Sequence, residues 1–257
     1  MTFTDFLNEI EIKAEEIEKA KYYCELKGVG LHFSIFNYLS SMKSGKVKYS
    51  EIASAYRYDK RIRKVLYKYM GLFEEYLRAY IANKYSDQLE LVNWIKPITK
   101  KLEKENNLTS CLDDILFSEL IDQVISLKEE DKSNLFSCVH FESLNLKAIL
   151  ELRNAISHNR FLLNYLKFKD CIINNERRSS LHANLLNFSL HLRPEIRRQF
   201  IKELDECSYF DENKKSANIK NQTTWELIED IIIKISIDDT VYNLDESKMI
   251  KTTSKKK

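Results

Sequence analysis

Apolar residues recur at three- and four-residue steps through most of the chain, the signature of amphipathic helices. The pattern is clearest from Asp59 to Lys84, where Ile62, Val65, Leu66, Tyr69, Met70, Phe73, Tyr76, Leu77, Tyr80 and Ile81 predict a long core helix. Earlier, Phe3, Phe6, Leu7, Ile10, Ala14, Ile17 and Cys24 predict one amphipathic helix over 3–27, interrupted by Gly28-Val29-Gly30. The aromatic segment LHFSIFNYL follows, then a turn at KSGK, residues 43–46, and a helix start at Ser50-Glu51. Further helices are predicted near 88–105, 112–130, 143–168, 178–190, 194–206 and 223–236. The polar, weakly periodic stretch 211–224 reads as a linker to WELIEDIIIKISI, a closing helix or partly a strand, and then to a basic tail. Residues 1–210 are thus expected to form the helical domain and 211–257 an appendage.

Composition agrees with this pattern. With only 4 Gly and 2 Pro in 257 residues, turn-rich β architectures are poorly supported, and 44% hydrophobic residues exclude a disordered chain. An all-α fold with short connections is expected. The net charge of +2 neither requires nor excludes a nucleic-acid partner, so only local clustering informs. Five cysteines, Cys24, Cys111, Cys138, Cys171 and Cys207, lie far apart without a CxxC pair and read as reduced thiols used as small hydrophobes. No histidine stands at metal-ligand spacing, and neither a metal nor another cofactor is expected. The N-terminal stretch is acidic where a signal peptide is basic, and no window of eighteen apolar residues occurs. A soluble cytoplasmic protein without a membrane partner is the expectation.

Two local clusters carry candidate chemistry. Arg57, Lys60, Arg61, Arg63, Lys64 and Lys68 face a single acid, Asp59, at the start of the long helix. This is either a solvated face or a track for RNA phosphates. The second cluster is LRNAISHNR, residues 152–160. On a helix with Arg153 at zero, Ser157 falls at about 40°, Asn154 at about 100° and His158 at about 140°. These four share one face, whereas Ala148, Ile149, Leu152, Ala155 and Ile156 form an apolar stripe on the other. Histidine can move a proton near neutral pH, and arginine offers a planar fork suited to phosphate. Such a set could cut a phosphodiester without metal, with His158 as acid or base and Arg153 stabilising the phosphorane. One copy supplies a single histidine. A symmetric homodimer would supply the second, and Leu150 and Phe161, inside the arc, could pack against that partner. The other histidines are less suggestive. His32 and His140 lie among apolar residues and read as core or boundary groups. His182 and His191 lie near Arg177, Arg178, Arg193, Arg197 and Arg198, a basic region that could meet RNA or be a solvated face.

The string LRNAISHNRFLL resembles the Arg-Asn-x-x-x-His signature of the HEPN superfamily, in a setting like that of its Abi-like (AbiD/AbiF, abortive infection) proteins. Residues 47–85 are similar to that family's N-terminal helix pair: an aromatic-Asp step, here Tyr58-Asp59, a Lys/Arg-x-Leu/Ile-Arg run and an acidic-aromatic core helix. Together these matches cover roughly residues 20–170. The resemblance implies a HEPN-type helical bundle that dimerises through its motif helices and serves in phage defence or as a toxin, to which the periodicity adds further C-terminal helices. Members either cleave RNA without metal, leaving 2′,3′-cyclic phosphate and 5′-OH ends, or only bind it. It implies that Arg153 contacts the scissile phosphate, His158 acts as acid or base, and Asn154 positions one of them. RNA contacts are expected at Arg57, Lys60, Arg61, Lys64, Ser157 and Arg160. The expected partners are RNA, a second copy of the chain and an antitoxin; the alternatives are a non-cleaving protein assembled with a non-coding RNA and a helical protein-interaction module. The chain departs from the family where Asn159 stands in place of a frequent second histidine, and where YYCELKG, residues 22–28, only faintly echoes the family's Tyr-Arg-Leu-Ser-Gly-Tyr element. Beyond about residue 175 it has no counterpart in that family.

Overall fold

A computed structural model describes residues 2–41, 44–86, 108–136, 142–173 and 175–207. The fold is all-α, with one two-stranded antiparallel sheet among the described residues. The predicted segments 88–105 and 223–236, the linker, the tail, Cys138 and His140 lie outside them.

The helix predicted over 3–27 is two helices. Helix α1, Phe3–Glu9, opens on a capping box in which Thr2 and Asp5 satisfy one another's backbone N–H groups. Ile10 then turns to extended dihedrals and is buried, and Glu11 bonds to the strand-like segment before the long helix: its N–H donates to Val47 O at 2.8 Å, and Tyr49 N–H donates to Glu11 O at 2.8 Å. These bonds replace the helical ones and end α1 without a glycine or proline. After a 3-10 turn at Ala14–Glu16 the chain forms α2, Ile17–Lys27. Gly28, at φ 89°, makes the predicted break alone, since α3, Val29–Ser40, begins at the next residue.

Helix α4 runs from Tyr49 to Tyr85, 37 residues. It begins one residue before the start read at Ser50-Glu51 and runs without a break through the core helix predicted over Asp59–Lys84, a single helix where the resemblance implied a pair. Its start is held by Glu51, whose carboxylate accepts the Lys48 N–H at 2.7 Å. The helix predicted over 112–130 is instead α5, Leu108–Asp113, α6, Phe117–Ser126, and α7, Glu129–Leu135. Arg78 of α4 explains part of the break, because its guanidinium takes the carbonyls of Leu112 and Ile115 that a continuing helix would have used. Helix α8 is Ser143–Ser157, shorter than predicted. A short hairpin follows that the sequence reading missed: β1, Cys171–Ile173, pairs with β2, Glu176–Arg178, around Asn175 at φ 64°. Helix α9, Leu181–Leu190, is capped by Ser180, and α10 spans Pro194–Glu206 as predicted.

The described chain falls into two compact units. The first comprises residues up to Val65, Ala155–Leu166 and those from Ile201 on. Phe6, Ile35, Leu39, Ile52, Tyr58, Ile62 and Leu162 are fully buried in its core. The second comprises residues from Leu66 to Asn154 and Lys167–Phe200. Its core holds Leu66, Leu77, Leu120, Leu146 and Ile149, with edge-to-face pairs Tyr69–Phe200 and Phe73–Phe188 at centroid separations of 5.2 and 5.7 Å. The four described cysteines are reduced thiols and buried, as expected; burial pushes the Cys171 thiol up to about 12. His32 is buried as well, with Nδ1 3.0 Å from Gly28 O. Among the described residues no helix is long and apolar enough to cross a membrane.

Candidate functional site

The start of α8 is anchored through Asn145, buried at 2% exposure. Its side chain donates to Ile172 O at 3.0 Å and accepts the Ile172 N–H at 2.7 Å, while Asn187 donates to its backbone carbonyl at 2.9 Å. One face of the helix then meets the core. Ala148, Ile149, Leu152, Ala155 and Ile156, the predicted apolar stripe, are all buried.

On the polar face, Arg153, Asn154 and Ser157 are half-buried and His158 is exposed. The Arg153 guanidinium lies 5.7 Å from the centroid of Phe117, a buried ring that carries the cation without neutralising it. Among the described residues no hydrogen bond or ion pair engages the side chains of Arg153, Asn154, Ser157 or His158.

The helix does not continue to 168. Asn159 adopts the left-handed conformation at φ 52°, its N–H bonds to Ile156 O at 3.0 Å, and the Arg160 N–H bonds to Ala155 O at 2.9 Å. This pair of bonds is a Schellman cap with asparagine at the position glycine usually takes. His158 is therefore the last half-helical residue, and Phe161 lies beyond the helix. Phe161 is not free to meet a partner subunit, because it is buried at 7% exposure edge-on to Tyr38, 5.7 Å away.

The cap, itself exposed, is tied to a buried ion pair on α4. Arg63 Nη1 donates to Asn159 Oδ1 at 2.9 Å and its Nε donates to Asp59 Oδ2 at 2.7 Å. The other Asp59 oxygen accepts the Leu162 N–H at 2.7 Å. Asp59 has no exposed surface and Arg63 has 7%. Burial pushes the Asp59 carboxyl up to about 6, although Arg63 and the N–H groups of Leu162 and Leu163 favour its ionised form. Arg63 thus leaves the basic face to which the sequence assigned it. The i, i+4 spacing of Asp59 and Arg63 was a signal that could have paired them. An asparagine at the end of an amphipathic run was likewise a signal for a left-handed cap.

The remaining RNA-contact candidates divide. Lys60, Lys64 and Arg160 are exposed. Arg57 and Arg61 are half-buried, each with a buried Nε that has no partner among the described residues. Burial and the neighbouring Arg61 charge hold Arg57 below the usual guanidinium value. Arg57 and Lys60 line a cavity of about 350 Å³ in the first unit. The basic region around His191 is not a surface for RNA as a whole. His191 and Arg197 are buried, and desolvation holds His191 down at about 4 with Nδ1 2.8 Å from Asn187 O. Comparison with known proteins gives no significant match to a family model, to a curated protein or to a solved structure.

Proposed function

We propose that this protein is a metal-independent endoribonuclease of the HEPN type, active as a homodimer in phage defence or growth arrest. The observation that carries the reading is the set Arg153, Asn154, Ser157 and His158, presented on one helical face without polar partners among the described residues, while the loop after it is pinned. Unpaired polar groups on a held backbone are suited to a ligand rather than to the fold.

In this reading Arg153 binds the scissile phosphate and neutralises charge as the phosphorane forms. One His158 takes the proton of the ribose 2′-OH, whose oxygen bonds to phosphorus. The P–O5′ bond then breaks, and the second copy's histidine protonates the departing oxygen. The products are a 2′,3′-cyclic phosphate and a 5′-OH. Asn154, one residue after Arg153, orients the phosphate or the imidazole.

Incubation of the purified protein with single-stranded RNA in EDTA tests the proposal. Cleavage with cyclic phosphate ends by a dimeric protein is expected. Loss of cleavage in EDTA, or unchanged cleavage by a strictly monomeric protein, would overturn it. RNA that co-purifies intact and is never cut would favour the alternative of a binding protein that assembles with a non-coding RNA.

A further inference from the structure

We infer that the cavity between α2, α3 and the start of α4 is a binding site for a single phosphorylated nucleotide, separate from the cleavage residues. Its volume, about 350 Å³, falls at the small end of the range for ligand sites, about 300–1,000 Å³.

The lining has two chemistries. Lys19, Lys27, Arg57 and Lys60 bring four cations against one acid, Glu16. That excess is unusual in a chain whose positive and negative residues nearly balance, 41 against 39. Arg57 is the centre of it, because its Nε is buried without a partner among the described residues and the strongest charge interaction on it is repulsion by another cation, Arg61. A half-buried guanidinium with an unpartnered Nε in such company is poorly satisfied until an anion arrives, and its planar fork suits a phosphate.

The second chemistry is aromatic. Tyr23, Tyr49 and Tyr56 also line the cavity, and the last two have a neighbour against the ring. Tyr49 stacks on His32 with planes 9° apart, and the Arg63 guanidinium lies 5.9 Å from the Tyr56 ring centroid, while Tyr23 is exposed beside Tyr22. Fixed rings offer a flat surface at little entropic cost, and base-on-ring stacking tolerates any base. His32 adds a polar group of known sense. Nδ1 sits 3.0 Å from the Gly28 carbonyl and so carries the proton, while burial lowers the ring's basicity, leaving Nε2 as an acceptor. A bare anion would not use the tyrosines, and a neutral aromatic ligand would not use the cations. A nucleotide uses both, whether it arrives as a free 5′-nucleotide or as one unpaired residue of an RNA chain.

This inference does not depend on the cleavage proposal, since His158 and Arg153 do not line the cavity. Isothermal titration of the full-length protein with AMP, adenosine, inorganic phosphate and a short single-stranded RNA provides the test. AMP or the RNA is expected to bind at least about tenfold more tightly than adenosine or phosphate, because stacking and charge pairing act together. AMP binding alone identifies a free nucleotide as the ligand, and RNA binding without AMP binding identifies an unpaired RNA residue. Lys60→Glu, at an exposed position where the fold is not at stake, should weaken that ligand at least about tenfold, and Tyr56→Leu should bring its affinity down toward that of phosphate. His158→Ala should bind the ligand as the parent does, even where it cuts no RNA. Equal affinity for phosphate and AMP, indifference to Lys60→Glu in a protein with the parent's denaturation midpoint, or no binding of either AMP or RNA at millimolar concentration would overturn the assignment.

Discussion

Asp59 and Arg63 are buried and bonded to each other, and Arg63 reaches out to the exposed Asn159, whereas Arg153, Asn154, Ser157 and His158, neighbours of Asn159 in sequence, engage none of the described polar groups. The residue types are nearly the same in both sets, so chemistry alone does not separate them. Burial sets Asp59 and Arg63 apart. An ionic group taken out of water destabilises the fold unless it is paired, and these two are paired with each other. The second set keeps contact with solvent and does not require internal partners, which leaves it available to a ligand. The buried pair, through Asn159 and the Leu162 N–H, holds the loop that follows the open set.

The comparison breaks first at Asp59. Asp59→Ala leaves Arg63 buried without its carboxylate and the Leu162 N–H without an acceptor, and should lower stability by about 3–5 kcal/mol in urea denaturation. Adding Arg63→Ala should recover part of that loss, with a coupling energy of roughly 1–3 kcal/mol. Strictly additive costs would show that the pair is not a unit.

Next in size is a pH effect at His191, which the sequence reading grouped with a basic region and which lies buried, with Nδ1 against Asn187 O and Nε2 without a partner among the described residues. Its folded value of about 4 lies below its ordinary 6.5, so the fold favours the neutral ring. The contribution is complete above pH 6.5 and is lost as pH falls from 6.5 toward 4, in all about 3 kcal/mol at about 1.4 kcal/mol per pH unit. His191→Gln should flatten that part of the stability profile relative to the parent.

Smaller effects are expected at the cap. Asn159→Ala must keep a left-handed backbone and loses the bond from Arg63, a cost of about 2 kcal/mol. Asn159→Gly, free to adopt the same dihedrals, should cost only about 1 kcal/mol. Equal losses would mean that the backbone conformation is not what asparagine supplies. Smallest is Gly71→Ala, in the exposed interior of α4 where an added Cβ meets nothing within 4 Å. It should raise stability by about 0.5–1 kcal/mol and leave RNA cleavage unchanged, which would separate stability from function.

The sequence made the helical class and the buried stripe of α8 legible because 3.6-residue periodicity records which face is buried, as Ile149, Leu152 and Ile156 show. Periodicity is silent where backbone bonds are captured by distant groups. The end of α1 depends on Glu11 meeting Val47 and Tyr49, and the gap after α5 on Arg78 reaching Leu112 and Ile115. Of the candidate site, the sequence made legible that Arg153, Asn154, Ser157 and His158 face away from the buried stripe. It was misread for Arg63, whose charge resembled that of its surface neighbours Lys60 and Lys64 until burial distinguished it. Asn159 was read only as the loss of a histidine, although an asparagine closing an amphipathic run is also what a left-handed cap selects. The hairpin Cys171–Arg178 was missed for want of length, since strands of three residues carry no alternation to detect.

The most direct test pairs two readouts on His158→Ala: its denaturation midpoint and its cleavage of single-stranded RNA beside the parent. An exposed side chain outside the buried network should change stability by no more than about 0.5 kcal/mol, while loss of the proton-transfer group should slow cleavage by a factor of about 100 or more. Cleavage at the parent's rate by the variant would contradict the account.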